Sequence, residues 1–220
     1  SVEAFLQTIT LEKKRDDSKV NLETKRNATI IVVRFGGIGD ILWTLPAMRA
    51  IKENYPFTKI KYCVMPKDKE ILYNNPYVDE IIPTAFPTRE DIEQADFILD
   101  FFESVENYKP ADIYNPIDIA CDWVGLKPSS YLPNFNLYDH EKEWAKSFLA
   151  SIGKDKGKKL IAMPMTASSP NRTWIFYDEL LKLLLGANKD LQILLLGNMG
   201  HALPTIEKLK QFDEKIVLNA

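Results

Sequence analysis

The sequence predicts an α/β fold of two Rossmann-like units with parallel sheets, the second of them incomplete. Three observations lead there. The first is Ile30-Ile31-Val32-Val33, a continuous β-branched run of the kind found in strands buried on both faces of a parallel sheet. The second is the regular alternation of short apolar runs with helical periodicity, which implies βαβ units with right-handed crossovers. The third is a lysine- and glycine-rich stretch, residues 153–159, after which the alternation starts again.

Length and composition agree with this class. At 220 residues the chain can bury a sizeable core and form more than one domain. Apolar residues make up 45% and charged residues 27%, the balance of an ordinary globular protein. No apolar run approaches the ~20 residues that cross a bilayer, and the N-terminal residues show no basic segment followed by an apolar one that would direct export. Cys63 and Cys121 lack metal-ligand spacing and read as buried thiols in a reducing compartment. With only His140 and His201, a histidine-built metal site is not expected, and a net charge of −3 gives no reason to expect nucleic acid.

In chain order, residues 1–28 read as an N-terminal arm, because the charges of Glu12–Lys19 follow no clear period. Residues 29–138 form the first Rossmann-like domain. Its first strand leads through Phe35-Gly36-Gly37-Ile38-Gly39-Asp40 into a helix, where Ile41, Leu42, Leu45, Met48 and Ile51 recur at three- and four-residue spacing to about Asn54. Strands are then expected at Lys59–Val64, after the turn that begins at Asn75-Pro76, and at Asp96–Phe101, with a short helix near Lys67–Tyr73. Ala111–Gly125 is apolar enough for a helix, which Pro116 should break or kink. Residues 139–159 form a connecting amphipathic helix, His140–Ile152, and a linker. Residues 160–220 begin a second sheet: strand Leu160–Pro164, helix Phe176–Leu185, strand Leu191–Leu196, helix Leu203–Phe212 and strand Lys215–Leu218. That is about half of a doubly wound domain of five or six strands.

Two segments carry candidate chemistry. In the glycine loop, Asp40 reads either as an N-cap of the helix or as a group that faces a ligand, since glycines let the backbone turn sharply and approach a ligand closely. The spacing is GGxG, so neither the GxGxxG of dinucleotide sites nor GxxxxGK[ST] is present. The second segment, Thr166-Ala167-Ser168-Ser169-Pro170-Asn171-Arg172, lies between a strand and a helix. It reads either as a polar loop or as a set of hydroxyl and N–H donors with a guanidinium, the chemistry that holds a diphosphate.

The run from the apolar strand through RxxxxGD to TLPAMRAIKENYP resembles the opening of glycosyltransferase family 9, the ADP-heptose:lipopolysaccharide heptosyltransferases. The resemblance extends over residues 29–219 and is closest in its first thirty residues and from 160 to 200. It implies a GT-B-type architecture, with an acceptor domain at 29–138, a nucleotide-sugar domain from 160, and reaction in the cleft between them. Asp40 matches the family's general base of an inverting transfer, with Gly36, Gly37 and Gly39 as the acceptor loop. Thr166, Ser168, Ser169 and Arg172 match the residues that hold the donor pyrophosphate, and Gly197 and Asn198 the turn beside the nucleoside. Ile175 stands where the family often has proline. The family's later aspartate–small–glycine segment with its histidine has no counterpart before residue 220, and His201 comes too early to serve.

The function so implied is transfer of a sugar, a heptose, from an ADP-linked nucleotide-diphospho-sugar to a bacterial glycan or lipopolysaccharide-type acceptor. The implied protein is cytoplasmic and associates peripherally with the inner face of the membrane. The resemblance implies no cofactor and no obligatory metal, and no DxD carboxylate pair argues otherwise. The alternative reading is a non-catalytic, degenerate transferase-like binding or scaffold protein. A nucleotide-sugar epimerase would need a cofactor fingerprint that the sequence lacks.

Overall fold

The computed structural model describes residues 22–34, 36–101, 113–152, 159–164, 174–197 and 216–219. The chain divides into two compact units, Ser1–Tyr138 and Asp139–Ala220. The first holds β1 (Thr29–Val33), α1 (Ile38–Leu42), α2 (Leu45–Asn54), β2 (Lys59–Cys63), β3 (Glu80–Ile82), α3 (Arg89–Gln94), β4 (Phe97–Asp100) and α4 (Pro116–Trp123). Its four strands are ordered β3-β2-β1-β4 and every pairing is parallel.

The β-branched run is the centre of that sheet. Ile30 lies opposite Ile60 on one side and Phe97 on the other, and Val33 opposite Cys63 and Asp100. Ile30 and Val32 pack with Ile41, Met48, Ile51, Ile60 and Leu99 in one core cluster, whereas Ile31 and Val33 pack with Cys63, Ile82 and Ala95 in another. Successive side chains point to opposite faces of a strand, so a strand covered on both faces must be apolar at every position. Cys63 and Cys121 are both buried free thiols, and burial pushes both up to about 12.

Two aspartates fix the register at the N-terminal edge of the sheet. Asp96, just before β4, donates its N–H to the Thr29 carbonyl at 2.8 Å and accepts the Thr29 N–H on its carboxylate at 2.8 Å. Asp79, just before β3, repeats the device on β2: its N–H donates to the Ile60 carbonyl at 2.9 Å and its carboxylate accepts the Ile60 N–H at 2.6 Å. Each side chain satisfies a strand-end donor that the ladder leaves over.

The predicted first helix is two helices. Trp43 and Thr44 form a turn between α1 and α2, and Pro46 sits in the first turn of α2. Proline has no N–H to offer residue 42 and its ring crowds that carbonyl, so a continuous helix breaks there. Pro116 acts in the same way at α4, which starts at that residue with Asn115 as N-cap, its side chain accepting the Ile117 N–H at 2.9 Å. Proline is tolerated at a helix start, where its missing N–H has no intrahelical partner anyway.

The second unit contains α5 (Asp139–Ser151), β5 (Lys159–Pro164), α6 (Tyr177–Ala187), β6 (Leu191–Leu196) and β7 (Ile216–Asn219), with the strands in parallel order β5-β6-β7. Leu181 and Leu185 of α6 pack on Leu191, Ile193 and Leu195 of β6. The expected amphipathic helix forms as α5, yet it buries no residue; Trp144, 62% exposed, stacks on Phe148 at 5.3 Å. The helix predicted over Leu203–Phe212 lies outside the described residues.

Candidate active site

The order β3-β2-β1-β4 places a topological switch point between β1 and β4. The chain leaves β1 to build outward on one side through β2 and β3, then returns to add β4 on the other. In open parallel sheets, ligands bind at the carboxyl ends of the strands at this point. Arg34 follows β1 directly, the glycine loop follows Arg34, and Phe101 follows β4.

Arg34 is the anchor. It is only 2% exposed, and a buried guanidinium is stable only when paired and hydrogen-bonded. Its Nη2 lies 3.1 Å from Asp40 Oδ1, its Nη1 donates a long hydrogen bond to the Phe101 carbonyl at 3.4 Å, and its plane lies 5.1 Å over the Trp43 ring. Trp43 in turn meets Phe101 edge to face at 6.2 Å. One arginine therefore joins the end of β1, the turn after α1 and the end of β4.

Asp40 is the third residue of α1. Its Oδ2 accepts the Gly37 N–H at 2.7 Å, the reach-back half of a capping box; Gly37 is the N-cap and has no side chain for the other half. Both carboxylate oxygens thus have a fixed partner, and each keeps lone-pair capacity for another donor. The side chain is 43% exposed, which leaves that capacity open to solvent or a ligand.

The glycines differ in role. Gly36 has φ +136°, and a Cβ there would lie 2.7 Å from Asp40 Oδ2. Its missing side chain makes room for the chain's own carboxylate. Gly37 is the helix cap, whereas Gly39 lies inside α1, where a Cβ would meet nothing within 4 Å. Beneath the loop, Thr44 Oγ1 lies 2.6 Å from the Tyr62 hydroxyl and donates to the Ile41 carbonyl at 2.8 Å. Both residues are fully buried, and burial raises the Tyr62 phenol far above its ordinary value, so this pair supports the turn without exchanging protons.

The structure thus gathers Gly36, Gly37 and Asp40 at the switch point with Arg34. Sequence reasoning used Arg34 only as part of a motif. The available signal was a charged residue closing a run of four buried β-branched ones, where a cation must find a partner. Gly197 directly follows β6, with φ +122°. Thr166, Ser168, Ser169, Arg172 and Asn198 lie outside the described residues. Among the described residues no three His, Cys, Asp or Glu side chains gather as a metal site, and no helix is long and apolar enough to cross a membrane.

No protein-family profile matches the sequence, and no curated protein does. Solved structures do match. A family 9 glycosyl transferase from Veillonella parvula superposes with a TM-score of 0.65 at 14% identity, over 87% of this chain and 68% of that one. The E. coli ADP-heptose lps heptosyltransferase II gives 0.58 at 14% identity, over 87% and 72%. E. coli heptosyltransferase WaaC, solved with ADP, gives 0.57 at 16%, over 87% and 75%. At these identities it is the fold that is shared: a mixed α/β chain with parallel sheets, of the kind seen in family 9 glycosyltransferases and ADP-heptose heptosyltransferases.

Proposed function

We propose that the chain is a glycosyltransferase that moves a sugar, a heptose, from an ADP-linked nucleotide-diphospho-sugar to a bacterial glycan or lipopolysaccharide-type acceptor, with inversion at the anomeric carbon. The observation that carries this reading is the Arg34–Asp40 pair: a half-exposed carboxylate, fixed on both oxygens, at the switch point of a parallel sheet.

In this reading Asp40 takes the proton of the attacking hydroxyl. The proton moves once the C–O bond is forming and the hydroxyl has become acidic. Arg34 is a positioning residue: its guanidinium, 3.1 Å from Asp40 Oδ1, aims the carboxylate. Thr166, Ser168, Ser169 and Arg172 bind the donor diphosphate and offset the charge that builds on it as it leaves, and Gly197 and Asn198 lie against the nucleoside. The donor side belongs to residues 160–220 and the acceptor side to residues 29–138.

Calorimetry with ADP and ADP-heptose on the full chain tests the donor half. Binding of both, weakened about 10- to 100-fold by Arg172→Ala, is the expected result, because a hydrogen bond to a charged group is worth about 1.5–3 kcal/mol. Equal affinity in the variant would remove Arg172 from the site. The Gly37 N–H bond to Asp40 supports a second reading, a binding protein in which Asp40 only caps α1. Nucleotide binding without ADP release in the presence of any acceptor would favour it.

A further inference from the structure

The first unit also carries a cavity whose described lining residues do not include Arg34, Gly36, Gly37 or Asp40. Beside α4 and the segment that follows it, this cavity of about 570 Å³ has a wall that includes Tyr114, Trp123 and Tyr131, with Asp118, Asp122 and Lys127 among them. Helix α4 turns Ile117, Ala120 and Cys121 into the core. Asp118 and Asp122 stand one turn apart, so they share a helix face, and both line the cavity.

The aromatic wall is held in place. Tyr131 is 54% exposed, yet its hydroxyl donates to Asp118 Oδ1 at 2.6 Å, which raises the phenol above its ordinary value. The segment carrying Tyr131 is tied down. The Leu132 N–H donates to Ser130 Oγ at 3.1 Å, and the Asn134 carbonyl accepts from Asn75 Nδ2 at 2.8 Å. A wall fixed before a ligand arrives costs little ordering on binding.

The mixture of groups selects the ligand chemistry. A simple cation would suit the carboxylates and aromatic faces but would meet Lys127. A phosphate would suit Lys127 but would meet two carboxylates. A molecule with many hydroxyls donates to Asp118 and Asp122 and accepts from Lys127 and the Tyr114 hydroxyl, while its C–H face lies on an aromatic ring. The volume is that of a small-molecule pocket and admits one or two sugar rings. We propose that this cavity binds a neutral saccharide. The assignment does not depend on the role of Asp40, because none of the described residues lining the cavity belongs to the Arg34–Asp40 site.

The test is saturation-transfer NMR and calorimetry on the full chain. The probes are maltose, lactose, cellobiose and chitobiose, with choline, spermidine and inorganic phosphate as charged competitors. The expected result is saturable millimolar binding of at least one disaccharide, tighter than any charged probe. Tyr131→Ala should weaken it about tenfold and Asp122→Asn about fivefold, with unchanged circular dichroism. Should Tyr131→Ala fail to fold, Asp122→Asn and Tyr131→Phe carry the test, and the latter, which keeps the ring, should retain most of the affinity. The assignment is overturned if no disaccharide binds, if choline, spermidine or phosphate binds more tightly, or if saccharide affinity is unmoved in the folded variants.

Discussion

At the scale of single residues, the cap that Asp40 forms and the base that we propose it to be make opposite demands on one side chain. Capping needs a carboxylate turned back on its own helix, and proton transfer needs one turned outward. Each oxygen has one internal partner and the side chain stays 43% exposed, an arrangement compatible with both. Asp40→Asn keeps an oxygen for the Gly37 N–H but removes the charge facing a buried guanidinium. The expected loss of stability is about 1–2 kcal/mol, between the values for exposed and buried pairs, while sugar transfer falls by about 10²- to 10⁴-fold. Thermal melting and an ADP-release assay read the two effects separately, and undiminished transfer would leave Asp40 a purely structural residue. Gly36→Ala should cost about 1–3 kcal/mol through its positive φ and also displace the Asp40 carboxylate. Its transfer rate should therefore fall further than its melting point explains; a rate loss that an increase in enzyme stability fully restores would contradict this.

Elements raise the question of how short strands hold register. β3 has only three residues and β4 four, too few for ladder bonds alone to fix them. The aspartates before each strand supply the missing constraint by gripping the first or second residue of the neighbouring strand, Thr29 of β1 and Ile60 of β2. Asp96→Ala leaves the Thr29 N–H without its carboxylate partner, and the expected loss is about 1–3 kcal/mol. Hydrogen exchange should show it first at Thr29 and Ile30; unchanged protection there would mean that water replaces the carboxylate without cost. The break between α1 and α2 was readable from Pro46, whose consequence for residue 42 is local. That Trp43, in this break, would lie under Arg34 was not, because it depends on where β4 returns.

For the whole molecule, acid is the informative perturbation. Burial by itself would raise the Asp91 carboxyl, but hydrogen bonds from the Thr88 hydroxyl and N–H, with Lys61 nearby, outweigh it and hold the group below its ordinary value of 3.8. Lys61, itself buried, lies 3.6 Å from Asp91 and 3.5 Å from Glu80, so these charges join α3, β2 and β3. A carboxyl depressed in the folded state stabilises fully above its unfolded pKa, and that contribution is lost as pH falls through the folded value. Denaturant unfolding should therefore show the Asp91 contribution intact at neutral pH and fading below about pH 4. In Asp91→Asn this part of the acid sensitivity should disappear; an unchanged pH profile would show that other carboxyls dominate.

The sequence by itself determined the described strands, the course of most described helices and the parallel class, because burial on both faces of a strand and one face of a helix leaves a local record in residue type and spacing. It also singled out Asp40, since an aspartate after a glycine turn stands out without any knowledge of its neighbours. Only the tertiary structure decided the strand order β3-β2-β1-β4, the switch point it creates and the partners of Arg34, because these join residues 34, 40 and 101 across three crossovers. Local sequence encodes what each segment must bury. Which segments meet is settled by the sheet as a whole, and it is that meeting that gives Asp40 a fixed orientation.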